Sequence, residues 1–100
     1  MTNPHAPEAS APRFRLGRLV ATPGALAALR HAESHPIALL VRHMRGDWGE
    51  LDDEDRAQNE MSLITGTRLL SSYTLEAGTK VWVITEADRS ATTILLPDEY

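Results

Sequence analysis

Cysteine is absent from the chain, which removes a disulfide framework, a thiol nucleophile and any Cys-ligated zinc site and leaves stability to apolar packing. Long apolar runs are absent too. The longest, Ile37 to Val41, falls far short of the ~20 residues that span a bilayer. The opening residues, Met-Thr-Asn-Pro-His-Ala-Pro, offer neither a basic start nor an apolar h-region. The expectation is a cytoplasmic protein with no membrane partner. Positive charge is short as well, with a formal net charge of −4. That disfavours nucleic-acid binding by bulk electrostatics, which releases counterions to a positive surface, although a local basic patch remains allowed. There is no glycine-rich phosphate loop, no GxSxG and no dinucleotide fingerprint, so no cofactor is expected. His31 and His35 stand four apart without a carboxylate at metal-site spacing, and no metal site is expected either.

The residues that are present fit one domain. Residues 1–13 carry Pro4, Pro7 and Pro12 among small and polar residues and read as a disordered tail; residues 14–100 read as a single α+β domain. Phe14 to Ala21 reads as a first strand whose apolar phase shifts across Gly17, as a bulge would make it. Thr22-Pro23 is a helix start, a hydroxyl acceptor followed by a residue whose fixed φ suits the first turn. The helix is expected to run to about Glu33. His35-Pro36 starts a second helix, with Ile37, Leu40, Val41 and Met44 as its inward stripe. Asp52 caps a third, with Asp53, Glu54 and Asp55 against its positive dipole end and Ala57, Met61 and Ile64 expected on its inner face. Beyond Gly66 the period falls to two. Arg68 to Leu75, Lys80 to Thr85 and Ala91 to Leu96 read as an antiparallel meander, with the middle strand, apolar on both faces, in the interior. The expected architecture is two to three helices on one face of a three- to four-stranded antiparallel sheet, in the order β-α-α-α-β-β-β.

Four clusters carry candidate chemistry. Arg42, His43 and Arg45 end the second helix; a histidine between arginines suits general acid-base work on a phosphodiester, and basic residues also simply favour a helix C-terminus. Thr85 to Ser90, with Glu86, Asp88 and Arg89, followed by Thr92 and Thr93, forms a tight connection that either holds a ligand or is ordinary turn chemistry. Glu50, Asp52, Asp53, Glu54 and Asp55 suit a divalent cation, though without the calcium-loop pattern, or offer a basic partner a phosphate-like surface, or serve helix capping. Asp47 and Trp48 sit in a glycine-flanked loop, where the indole either plugs the core or binds a partner.

The stretches RHMRGDWGEL (42–51) and VITEADRSATTILLPDEY (83–100), with ATPGAL (21–26), resemble a family of small bacterial proteins called plasmid-related, encoded on plasmids and integrative conjugative elements. The resemblance implies a setting on mobile DNA and no reaction. More loosely, helices followed by a meander that ends in ATTILLP resemble the barnase, colicin and RelE-like ribonuclease toxins. That likeness implies metal-independent RNA cleavage, with His43 as the helix-borne histidine and Arg89 with Thr92 or Thr93 as sheet-borne phosphate contacts. The acidic balance and single lysine, Lys80, depart from the basic surface such toxins use.

Two functions follow as expectations. The first is a binding module without catalytic activity that acts on a protein partner in plasmid maintenance or host-defence evasion, through Arg42, Arg45, Asp47, Trp48, Glu86, Asp88 and Arg89. The second is a metal-independent ribonuclease using His43, Arg89 and Thr92. An exposed edge at strand one would also support a homodimer.

Overall fold

The computed structural model describes residues 11–100. The expected tail therefore lies almost wholly outside the described residues, and ordered contacts begin by Arg13, whose amide donates to the Met44 carbonyl at 2.7 Å. The elements are β1 (Arg18–Ala21), α1 (Pro23–His31), α2 (Pro36–Met44), α3 (Asp53–Thr65), β2 (Leu69–Thr74), β3 (Lys80–Thr85) and β4 (Ala91–Leu95), closed by a 3₁₀ turn over Pro97–Glu99. This is the expected α+β order, three helices and a four-stranded sheet.

The helix starts follow from their caps. Thr22 Oγ1 accepts the Ala25 amide, His35 Nδ1 accepts the Ile37 amide and Asp52 accepts the Asp55 amide, each relieving a first-turn N–H that has no helical partner. Gly66 ends α3 at φ 74°, a left-handed stop that glycine takes without Cβ strain.

The sheet order is β1-β4-β3-β2, so β3 is interior as its two apolar faces require. One pairing differs from expectation. β1 runs parallel to β4, from Arg18 opposite Ala91 to Ala21 opposite Ile94, and the sheet is mixed rather than fully antiparallel. The meander strands are joined by tight turns that dictate antiparallel neighbours. β1 is separated from them by three helices, a connection long enough to return the chain in either direction. β1 is also shorter than Phe14 to Ala21, because Gly17 turns at φ 66° against the Arg89 and Ser90 backbone, where a Cβ would overlap it.

The core lies between α1, α2 and one sheet face, where Ala25, Leu29, Leu39 and Leu40 meet Tyr73, Val81, Val83 and Ile94. In α2 the inward stripe is rotated from the expected one: Leu39, Leu40 and His43 are buried, while Ile37 is exposed. α3 departs further. Ala57, Met61 and Ile64 face outward, and the buried residues are Asn59 and Ser62. The cause is what α3 packs against, namely the outer edge of β2 rather than an apolar face. Asn59 Oδ1 accepts the Leu70 amide at 3.1 Å and its Nδ2 donates to the Leu70 carbonyl at 2.7 Å, so a side-chain amide takes the place of a neighbouring strand. Further along, the Ser72 amide donates to the Trp48 carbonyl and its carbonyl accepts the Glu50 amide. These four bonds cover the β2 edge at Leu70 and Ser72.

Candidate functional site

The interior of the sheet carries a run of polar side chains centred on His43. The sequence places this residue at the boundary of α2; the fold places it at 0 % exposure. Its Nδ1 lies 2.5 Å from Ser71 Oγ on β2 and its Nε2 lies 2.9 Å from Thr85 Oγ1 on β3. Thr85 Oγ1 is 2.7 Å from Thr92 Oγ1 on β4, which donates to the Leu16 carbonyl at 2.7 Å. Proton counting fixes the direction of the whole chain. The Leu16 carbonyl only accepts, so the one proton of Thr92 goes there. Thr92 then accepts from Thr85, Thr85 accepts from Nε2–H of the ring, and the bare Nδ1 accepts from Ser71. His43 is thus a neutral Nε2–H tautomer with both nitrogens engaged.

Burial, and after it the positive charge of Arg89, pushes the His43 pKa down to about 3. Aromatic rings complete the enclosure. The Phe14 ring stands edge-on to the imidazole at 5.1 Å, and the Trp48 indole at 5.8 Å. Trp48 is buried, stacks on Phe14 and donates Nε1–H to Glu60 at 3.0 Å, which makes it a plug between helix and sheet. Glu60 also receives the Arg13 guanidinium through two bonds.

Arg89 occupies a left-handed backbone conformation, φ 61°, which a non-glycine residue adopts at a cost. Its guanidinium offsets that cost with carbonyl contacts. Nη1 donates to Thr67 O at 2.7 Å and to Glu86 O and Ala87 O at longer range, and Nη2 donates to Ser62 O at 3.1 Å. α3 has no basic residue in its own last turn, and Arg89, supplied by the β3–β4 connection, ties down the end of that helix. Arg89 therefore pairs with the Glu86 carbonyl rather than its carboxylate. Asp88 accepts the Ser90 amide, and its carboxyl is held below the ordinary range mainly by Ser90. Glu86 is exposed.

Arg42 donates to Asp47 at 2.7 Å and lies 4.4 Å from the centre of the Tyr73 ring; this hydrogen bond is the main reason the Asp47 carboxyl sits below its usual range. Arg45 is exposed at the α2 C-cap. Tyr73 donates its hydroxyl to the Asp47 carbonyl at 2.6 Å, and burial raises its pKa to about 12.

The fold brings His43, Thr92 and Arg89 into one neighbourhood, with Thr85 between the first two and Phe14 touching both His43 and Arg89. Phe14 stacks on Trp48 of the Arg42–Asp47–Trp48 loop and lies 5.8 Å from the Arg89 guanidinium, so one ring touches both loops. One member of the polar run, Ser71, escaped sequence reasoning. Its signal was a hydroxyl at an inward position of an alternating strand. Among the described residues no three His, Asp or Glu side chains converge at metal-binding distance, and no helix is long and apolar enough to cross a membrane.

Compared with known protein families, with curated proteins and with solved structures, the chain matches none.

Proposed function

We propose that this chain is a binding module without catalytic activity, and that its protein partner docks on the outward face of α3. The carrying observation is an apolar stripe turned to solvent. Ala57, Met61 and Ile64 fall at helical spacing on that face, with Met61 54 % and Ile64 82 % exposed. Glu54 continues the stripe toward the N-terminus and Asp53 and Asp55 flank it, so the surface is apolar along its length and negative at one end. A basic amphipathic helix of a partner protein matches both features. The enclosure of His43 supports the same reading, since general acid-base chemistry needs a ring nitrogen within reach of substrate. From the resemblance carried by EADRSATTILLP, we read the setting as plasmid maintenance or host-defence evasion.

The test is co-purification from the native host at low and high salt, with Met61→Glu/Ile64→Glu as control. Both side chains are exposed, so the variant keeps the native fold. The expected result is one stoichiometric partner that the native chain retains at low salt and loses at high salt, and that the variant never retains. Equal recovery by both chains, or no stoichiometric partner, refutes the reading. The ribonuclease alternative makes a different demand: induced expression must arrest growth of a naive bacterial host, and His43→Ala and Arg89→Ala at equal abundance must relieve it.

A further inference from the structure

The two edges of the sheet are treated in opposite ways. The β2 edge is covered at Leu70 and Ser72 by Asn59, Trp48 and Glu50. The β1 edge is bare among the described residues, and beyond Arg18 its side chains are apolar: Leu19 is 53 % and Val20 42 % exposed. Protein sheets commonly guard an edge with charge, proline or a covering element, and an unguarded apolar edge is suited to strand addition.

The register with β4 says which backbone groups are on offer. The Arg18 amide donates to Ser90 O and the Thr22 amide to Ile94 O, so the amides of Arg18, Val20 and Thr22 point into the sheet. Alternation turns Leu19 and Ala21 outward. Beside them lies a groove of about 210 Å³ lined by Leu19, Ala21, Pro36, Ile37, Leu40 and Ile94, with Ile37 54 % exposed.

We propose that β1 pairs with β1 of a second copy, antiparallel, about a two-fold axis at Val20. The strand is self-complementary in that register. Leu19 of one copy faces Ala21 of the other, and each such pair exchanges two backbone hydrogen bonds. On the groove side a large residue meets a small one, so Leu19 of each copy enters the space beside Ala21 and Ile37 of the other. On the opposite side Val20 meets Val20 at the axis. The same register sets Arg18 against Thr22 of the second copy. Thr22 donates its hydroxyl to Glu99 at 2.5 Å, so Arg18 arrives beside the carboxylate of Glu99 and the interface carries two symmetric ion pairs. Gly17, with its left-handed φ, and Pro23, without an N–H, end the ladder on either side. A second copy therefore satisfies backbone, apolar and charged groups together, and this surface is independent of α3.

Sedimentation of the full chain over a wide concentration range tests the association, and a single cysteine tests its register. Val20→Cys sets the thiols on a non-hydrogen-bonded pair, where Cα atoms stand about 4.5 Å apart and a disulfide closes. The chain has no other cysteine. The expected results are a mass that rises from 11.0 kDa toward twice that value, a disulfide-linked dimer for Val20→Cys at least tenfold faster than for Ile64→Cys, and a purely monomeric Leu19→Lys. A monomer at every concentration overturns the proposal, including the case in which residues 1–10 of the same chain cover the edge. So does a dimer in which Val20→Cys cross-links no faster than Ile64→Cys, which would assign the contact to another surface.

Discussion

Acidification probes whether His43 folds as a neutral ring. The imidazole has an ordinary pKa of 6.5 when the chain is unfolded and about 3 in the fold, where burial and Arg89 oppose a second proton. Below the ordinary value the unfolded chain therefore binds a proton that the native chain refuses. Stability is full above pH 6.5 and falls with pH until the folded value is reached, approaching about 1.4 kcal/mol per unit. Between about pH 8 and pH 5 the loss comes to about 2 kcal/mol, a large share of the 5–15 kcal/mol typical of a domain. The carboxyls of Asp47 and Glu60, which their hydrogen bonds to Arg42 and Arg13 hold below their usual range, add their own loss only at lower pH. Urea unfolding followed by tryptophan fluorescence, with a slope of about 1–3 kcal/mol per molar, is expected to show a midpoint lowered by roughly 1 M across that interval. His43→Gln removes the titrating group, and its midpoint is expected to stay flat. A flat native profile, or an unchanged slope in the variant, refutes the neutral buried ring.

Three further outcomes are expected. Asn59→Ala removes both bonds to the Leu70 backbone and leaves that amide and carbonyl at a buried edge, which costs about 2–3 kcal/mol; hydrogen exchange at Leu70 should accelerate by the corresponding factor, and unchanged protection would mean that another group covers the edge. Gly49→Ala places a Cβ against the Ser72 carbonyl and 2.6 Å from the Tyr73 ring at φ 75°, so a loss above about 2 kcal/mol in chemical unfolding is expected, against about 1 kcal/mol for Gly78→Ser, which carries the backbone strain of φ 93° with no atom in its way. Arg89→Ala abolishes the contacts to Thr67, Ser62, Glu86 and Ala87 and is expected to cost about 2–4 kcal/mol, read as a fall in Tm, with exchange of the α3 C-terminal amides rising more than that of α1.

The parts of the fold set by local chemistry were legible in the sequence. Thr22-Pro23, His35-Pro36 and Asp52 announced three helix starts because each places a side-chain acceptor before a first turn. Val81, Trp82, Val83 and Ile84 announced an interior strand because both its faces are apolar. What stayed hidden depends on partners distant in the chain. The direction of β1 is settled by β4, some seventy residues later. The orientation of α3 was misjudged because its inward face meets exposed backbone, so the rule that apolar residues point inward reversed there, leaving Asn59 and Ser62 inside and Met61 and Ile64 outside. His43 was legible as a notable residue, but its burial rests on three hydroxyls from three strands, a convergence that periodicity along one strand does not encode.

The Asn59 amide seated in the outer edge of β2 also governs how far assembly can proceed. A sheet with two bare edges adds copies at both ends and grows without limit, as fibres do. In this chain one edge is occupied by the protein's own helix, so strand addition has a single place to occur. When two copies meet there through a two-fold axis, each terminates the other: the product presents at both extremities a β2 edge already covered at Leu70 and Ser72. The Asn59 side chain and the 48–50 backbone together separate a closed pair from an open polymer.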